Sequence, residues 1–217
     1  QQAVCLPSRI SLFTGMRPNS TGVHDLQTKF RETIPEAVTL PQHFAAHGYE
    51  TIGMGKVFHD EQWGEWSQWI DTNTLSGVKP YQNPETQEKI KALRQEARQK
   101  GLKGSKLLRY TRGPAYEKAD VPDESYHDAA MTSRAIEALK EVKDQAFFMV
   151  VGYKKPHLPF VAPKRYWDLY DFDAIQLPEN YYTPRGAPSI AQISWGELRA
   201  YSGIPEIGPV DTTTARH

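Results

Sequence analysis

Two short apolar runs limit how this chain can fold more than any other feature: Tyr49-Glu-Thr-Ile-Gly-Met54 and Phe147-Phe-Met-Val-Val151. Both have strand length, and the unbroken apolar character of the second predicts a fully buried strand. Helical patterns precede them. From Thr39 to His47, Leu40, Phe44 and His47 recur at helical spacing, with Thr39 as cap, Pro41 in the first turn and Gly48 as the stop. From Ser125 to Val142, Ala129, Ala130, Ile136, Leu139 and Val142 lie on a helical period. Strand, helix and strand in this order predict the α/β class: a mostly parallel, mixed sheet sandwiched by helices. Such folds gather their functional groups at the carboxyl ends of strands, and Lys56, His59 and His157 closely follow the predicted strands.

The 217 residues suffice for one sizeable core, and 39% hydrophobic with 24% charged residues is the composition of an ordinary soluble globular protein. No apolar stretch approaches the roughly 20 residues of a membrane span, and the first residues lack a signal-peptide layout. Lys plus Arg and Asp plus Glu number 26 each, so no net field points to nucleic acid or to a membrane.

Charge is nevertheless unevenly spread. Lys89, Lys91, Arg94, Arg98, Lys100, Lys103, Lys106, Arg109 and Arg112 share a span in which Glu96 is the only acid. A polyanion could use such a patch, but a solvated helix face is the default reading of exposed lysine and arginine. Ile90, Leu93 and Ala97 predict an amphipathic helix ending at Gly101, after which Gly104, Gly113 and Pro114 are expected to break the chain. Residues 86–122 read as a surface insertion. From Asp171 onward, five prolines (178, 184, 188, 205 and 209) with Gly186, Gly196, Gly203 and Gly208 predict long irregular loops.

Cys5 is the single cysteine, within Cys5-Leu6-Pro7-Ser8-Arg9 and ahead of Thr14-Gly15. A lone thiol beside an arginine, at the start of a short helix with Ile10, Leu12 and Phe13 on its apolar face, is arranged for chemistry and not for a disulfide. The helix N-terminus favours negative charge there by about 0.3 to 1 kcal/mol. Taken singly, each residue has a structural reading too. Cys5 can be a buried thiol, Arg9 an exposed helix residue, Lys56 and His59 strand-end caps, and His157, between prolines, a turn former. His24, His43, His47, His127 and His217 stand in no motif and read as structural or solvated.

The run Cys5, Pro7, Ser8, Arg9, Thr14, Gly15 resembles the sulfatase signature, within the alkaline phosphatase superfamily. The resemblance is closest to the iduronate-2-sulfatase-like branch. It extends through Gln1-Gln2-Ala3-Val4, Gly53-Met54-Gly55-Lys56-Val57-Phe58-His59 and Gly152-Tyr153-Lys154-Lys155-Pro156-His157-Leu158-Pro159-Phe160. It implies that residues 1–217 are the central part of a sulfatase catalytic domain, without the N-terminal and C-terminal metal-ligand segments of the family.

It further implies that a maturating enzyme, either a formylglycine-generating or an anaerobic sulfatase-maturating one, oxidises Cys5 to Cα-formylglycine. One hydroxyl of the hydrated aldehyde attacks sulfur and expels the alcohol, and the second drives out sulfate. By the same resemblance Arg9 steadies the diol, Lys56 and His157 bind the sulfate oxygens, and His59 hydrogen-bonds position 5. Calcium coordinates position 5 as formylglycine, its other ligands lying outside this chain, since a hard cation needs several oxygen donors. The implied substrate is a sulfated carbohydrate, a glycosaminoglycan-like uronate-containing glycan, with no nucleic acid or membrane partner. The implied location is periplasmic, secreted or lysosomal. Two other readings stay open: a formylglycine-dependent phosphodiester or phosphonate monoester hydrolase, and a catalytically inert truncated fragment.

Overall fold

The computed structural model describes residues 2–59, 65–180, 182–191 and 196–217. Along the chain run α1 (Cys5–Thr14), α2 (Pro18–Thr21), α3 (Phe30–Thr33), α4 (Leu40–Ala46), β1 (Glu50–Gly55), β2 (Gln68–Ile70), α5 (Pro84–Gln99) and α6 (Gly104–Tyr110). These are followed by β3 (Tyr116–Ala119), α7 (His127–Val142), β4 (Phe147–Gly152), β5 (Phe160–Pro163), α8 (Lys164–Trp167) and α9 (Thr212–Arg216). Gln1–Val78 and His127–Lys154 form one compact unit, and Lys79–Tyr126 with His217-terminated Lys155–His217 forms a second. Among the described residues no helix is long and apolar enough to cross a membrane.

In the first unit the strands lie in the order β2-β1-β4, and both pairings are parallel, with Gly53 opposite Trp69 on one side and Val150 on the other. The predicted α/β architecture is therefore present. Ile52 and Met54 of β1 are fully buried in a core with Ile70 and the α7 residues Met131, Ala135, Ala138 and Val142. This α7 face differs from the expected one: Ile136 and Leu139 are 49% and 42% exposed. Met131, Ala135, Ala138 and Val142 follow at i, i+4, i+7 and i+11, and two alanines on that stripe let the helix lie close to the sheet. β4 also departs from expectation. Phe147 to Val151 are half-buried, because β4 ends the strand order and is paired with β1 alone among the described residues.

A second core in this unit joins Leu6, Ile10 and Phe13 of α1 to Val23, Phe30, Val57 and Phe58. Positions i, i+4 and i+7 put the three α1 residues on one stripe. Pro7 fits within the first turn, where its missing N–H removes no helical bond. α4 begins at Thr39 as predicted, with the Gln42 side chain accepting from the Thr39 N–H at 3.0 Å.

The second unit pairs β3 with β5 in parallel, Tyr116 opposite Phe160. Glu117 is buried, and its Oε1 accepts from the N–H groups of Gln82 at 2.7 Å and Asn83 at 3.3 Å, which satisfies the start of α5. Ile90 of α5 packs on Tyr81, Tyr126 and Val161, while Ala115, Tyr201 and Ile204 make a further cluster. The segment after Gly101 is helical at α6, not broken throughout. Gly104 is the first residue of that helix and starts it instead of interrupting it. Beyond Asp171 the chain is largely irregular as expected up to α9: Asp171 accepts from the Asp173 N–H in a short turn, and Asp211 caps α9 by accepting from the Thr214 N–H.

Candidate active site

Cys5 is the first residue of α1, half-buried, and follows an extended Val4. The Lys56 ammonium donates to its sulfur at 3.7 Å. Lys56 is the first residue past β1, so a strand end and a helix start converge on this pair. Their approach is enforced by packing on the next two residues. Val57 and Phe58 are buried against α1, and the Phe58 ring lies 4.7 Å from Phe13 and 5.6 Å from Phe30, nearly parallel to the latter.

Two glycines let this loop pass. Gly55 has φ 73°, and a Cβ there would fall 2.3 Å from the Gly152 carbonyl oxygen. A Cβ on Gly152 would fall 2.1 Å from the Lys56 carbonyl oxygen, so any larger residue at either position must displace backbone. The Lys56 N–H donates to the Gly152 carbonyl at 2.7 Å, extending the β1–β4 ladder by one step.

Arg9 lies one helical turn after Cys5. One guanidinium nitrogen donates to the carbonyl of Lys56 and, at 3.0 Å, to that of Val57. It therefore grips the backbone that carries Lys56, a contact the sequence reading did not anticipate. His59 closes the described part of the loop at φ 128°, a conformation that costs a non-glycine residue energy and persists only where the surroundings enforce it. Cys5, Arg9, Lys56 and His59 thus belong to one unit and one loop–helix junction.

His157 belongs to the second unit, with a 41% exposed side chain. Its Nδ1 donates to the Leu158 carbonyl at 2.8 Å, and its Nε2 lies 3.5 Å from the Glu197 carboxylate. The Lys155 ammonium donates to the His157 carbonyl at 3.0 Å and to that of Pro159, which ties the loop to itself. Sequence reasoning missed Glu197 and also Asp128. Both Asp128 carboxylate oxygens accept from the Lys154 N–H at 3.1 Å and fasten the exit of β4 to the first turn of α7. An acid at a helix start was the one available signal for Asp128.

A calcium ion takes six to eight oxygen ligands. Among the described residues, the polar groups that meet Cys5 and its loop include the Lys56 ammonium and the Arg9 guanidinium, both cationic, and no cluster of three or more His, Cys, Asp or Glu could hold a metal. The described residues do not fit a calcium site. They fit an anion: one ammonium meets position 5, which is itself the first residue of a helix. The second unit has its own cavity of about 810 Å³, lined by Tyr116, Glu117, Lys118, Trp167 and Arg216 among others, and none of the sequence-predicted site residues lines it.

A parallel α/β sheet whose strand end brings a lysine to a thiol at a helix start gathers polar groups where folds of this class place their sites. Comparison with known proteins makes this specific: the sulfatase family model matches residues 1–202, and the chain belongs to that family. It is 36% identical over 201 residues to iduronate 2-sulfatase of Mus musculus and 35% identical to that of Homo sapiens. In each case 92% of this chain and 35% of the relative are covered. An ulvan-active sulfatase of Formosa agariphila is 27% identical over 211 residues, covering 91% of this chain and 34% of the relative. The chain spans about a third of the length of the curated relatives it matches.

Proposed function

We propose that this chain carries the nucleophile-bearing part of a sulfuric ester hydrolase that removes sulfate from a sulfated sugar, with formylglycine at position 5. The observation that carries this is the 3.7 Å approach of the Lys56 ammonium to Cys5 at the start of α1. Formylglycine, when formed, supplies a hydrated aldehyde whose two hydroxyls serve as nucleophile and as the group that later releases sulfate. The chain's own residues do the rest. Lys56 binds a non-bridging sulfate oxygen and stabilises the charge that builds as the ester bond breaks. The α1 N-terminus adds about 0.3 to 1 kcal/mol in the same direction.

Arg9 holds Lys56 in register through its carbonyl, so we read it as a positioning residue. His59 hydrogen-bonding position 5 and His157 binding sulfate remain part of the proposal on the strength of the family resemblance. So does a divalent cation, with carboxylate ligands drawn from other parts of the protein. A maturating enzyme acting on Cys5 and a periplasmic, secreted or lysosomal setting belong to the same reading. Residues 86–122 as a surface insertion in a catalytic domain stay part of the proposal for the exposed length of α5 alone, since Ala115, Glu117 and Ala119 at β3 are buried.

Mass spectrometry of the peptide containing position 5 tests the modification, with an aldehyde in place of the thiol as the expected result. Turnover of an aryl sulfate against an aryl phosphonate tests the reaction, and preference for the phosphonate would overturn the sulfatase reading.

A further inference from the structure

His43 and His47 stand in no sequence motif, yet the end of α4 brings their rings together. They are four residues apart, the spacing that places two side chains on one helix face. Both are exposed, and their ring centroids lie 4.3 Å apart with the planes tilted by 38°. Phe44, next to His43, is stacked on Phe148 of β4 at 4.3 Å and meets Tyr49 edge-on at 5.1 Å. The helix is thereby anchored to the sheet of its own unit, and the two imidazoles stand on a fixed backbone.

The way α4 ends fixes one of the rings. His47 has left helical geometry at φ −103° and ψ 18°, and its N–H donates to the Phe44 carbonyl at 3.0 Å. The His43 carbonyl is one of the last-turn acceptors that a helix leaves open, and it takes the His47 ring Nδ1 instead, at 2.7 Å. A carbonyl only accepts, so Nδ1 carries the proton and the Nε2 of the neutral ring keeps its lone pair. Among the described residues no hydrogen bond or ion pair engages that Nε2 or either ring nitrogen of His43. Metal-ligating histidines have this arrangement: one ring nitrogen donates to a backbone carbonyl, which sets the tautomer and raises the basicity of the other.

Two imidazole nitrogens bound at about 2.0 to 2.1 Å to one ion stand roughly 3 Å apart, which rings with centroids 4.3 Å apart reach by side-chain rotation alone. Imidazole pairs select copper(II), nickel(II) or zinc(II) over calcium and magnesium, which take oxygen donors. We propose that His43 and His47 form a surface site for a divalent transition-metal ion, with the two imidazoles as its protein ligands and water in the remaining positions. Among the described residues no third His, Cys, Asp or Glu joins the pair, so the ion keeps open positions. The site uses none of the candidate active-site residues, differs in donor chemistry from the calcium implied for position 5, and does not rest on the sulfatase reading.

The test titrates the complete protein with nickel(II) chloride by calorimetry, with Cys5→Ser in every sample so that no thiol competes for the metal. In His43→Ala and in His47→Ala the affinity for the tightest-bound ion should fall at least about tenfold, because chelation by two linked ligands is lost. His47→Ala/Ala45→His keeps the number of histidines but sets them two residues apart, on different helix faces, and should behave like the single variants. Thermal melts without metal check that each variant folds; with nickel present, the midpoint should rise more in the parent than in any variant. Copper(II) should bind the parent more tightly than nickel(II) does, and at one equivalent its electron paramagnetic resonance spectrum should show two imidazole nitrogens, against at most one in the variants. Affinity retained within about twofold in either alanine variant, or equal binding by the shifted pair, would overturn the proposal. So would displacement of nickel by an equal concentration of calcium.

Discussion

The cluster beside Cys5 and the clusters of the second unit solve the problem of a core with different chemistry, although the first unit buries Thr21, Thr39, Thr51, Thr72 and Glu65 elsewhere. Around Cys5 and Lys56 the buried side chains are hydrocarbon: Leu6, Ile10, Phe13, Val23, Phe30, Val57 and Phe58. In the second unit the corresponding places go to Tyr81, Tyr126 and Tyr201, with the buried carboxylate of Glu117 among them. A hydrocarbon core has no polar atom to satisfy and packs to one arrangement, which suits a lysine that must stay beside one atom. The second unit instead spends buried polar groups on backbone: the Tyr81 hydroxyl donates to the Pro114 carbonyl at 2.8 Å, and Glu117 accepts the N–H groups that open α5. Long loops without ladder partners need such acceptors and donors.

The largest effect that distinguishes the two is expected at Phe58. Phe58→Ala removes the ring that seats the lysine loop on α1 and should cost about 3 to 5 kcal/mol in denaturant unfolding. Tyr81→Phe in the second unit keeps the ring and loses one hydrogen bond, for about 1 kcal/mol. A Phe58→Ala cost below that of Tyr81→Phe would break the comparison. Next comes Gly152→Ala, whose methyl meets the backbone carbonyl of Lys56 and should cost about 1 to 3 kcal/mol. Turnover should fall further than stability does, since Lys56 moves. At Gly196, where an added Cβ meets nothing within 4 Å among the described residues, alanine is expected to change stability by less than about 0.5 kcal/mol.

Much of the first unit is legible in the sequence because its signals are local. Cys5 through Gly15 is a continuous motif, β1 is an uninterrupted run, and Thr39, Pro41 and Gly48 punctuate α4. What was not legible involves partners far apart in the chain or lacking side chains. Arg9 binds the carbonyls of Lys56 and Val57, and a carbonyl acceptor leaves no mark on residue type. Gly55 and Gly152 are required by each other's strand, which only the register reveals. The α7 face was misread because Ile136 and Leu139 outweigh Ala135 and Ala138 in hydrophobicity, whereas close packing on the sheet selected the smaller side chains. The half-buried state of β4 follows from its place at the end of the strand order, which its own composition cannot express. In the second unit the loops after Asp171 were foreseen from proline and glycine, but the tyrosine and glutamate groups that anchor its core were not, since each reads as a surface residue.

A smaller effect should separate the units in alkali. Burial, with the nearby Glu117 charge, pushes the Tyr126 hydroxyl up to about 12, and burial raises Tyr81 as well. An unfolded tyrosine ionises near 10. Stability from these groups is therefore full below about pH 10 and is lost as pH rises through the folded value, because the unfolded state gives up its protons first. Unfolding followed from pH 9 to 12 should show the second unit weakening ahead of the first, and Tyr81→Phe/Tyr126→Phe should flatten that slope. Tyr126→Phe alone should be neutral or slightly stabilising at pH 7, since its hydroxyl is buried without a hydrogen-bond partner among the described residues.

The smallest expected effect concerns how each unit starts a helix. The α5 start uses the buried Glu117, whereas the α4 start uses the neutral amide of Gln42, which accepts from the Thr39 N–H at 3.0 Å and from Arg31 at 2.9 Å. In Gln42→Ala, Arg31 retains Glu65 at 2.7 Å, so that pair survives. Arg31 and the Thr39 hydroxyl each lose one acceptor but keep Glu65, so only the Thr39 N–H, on a fully buried residue, is left without its acceptor, and the cost should be about 1 kcal/mol by denaturant unfolding. A loss of about 3 kcal/mol or more would mean that Arg31 and Glu65 depend on Gln42 to hold their geometry. The first unit would then lean on a buried polar network as the second does, and the contrast between the two cores would narrow to the residues around Phe58.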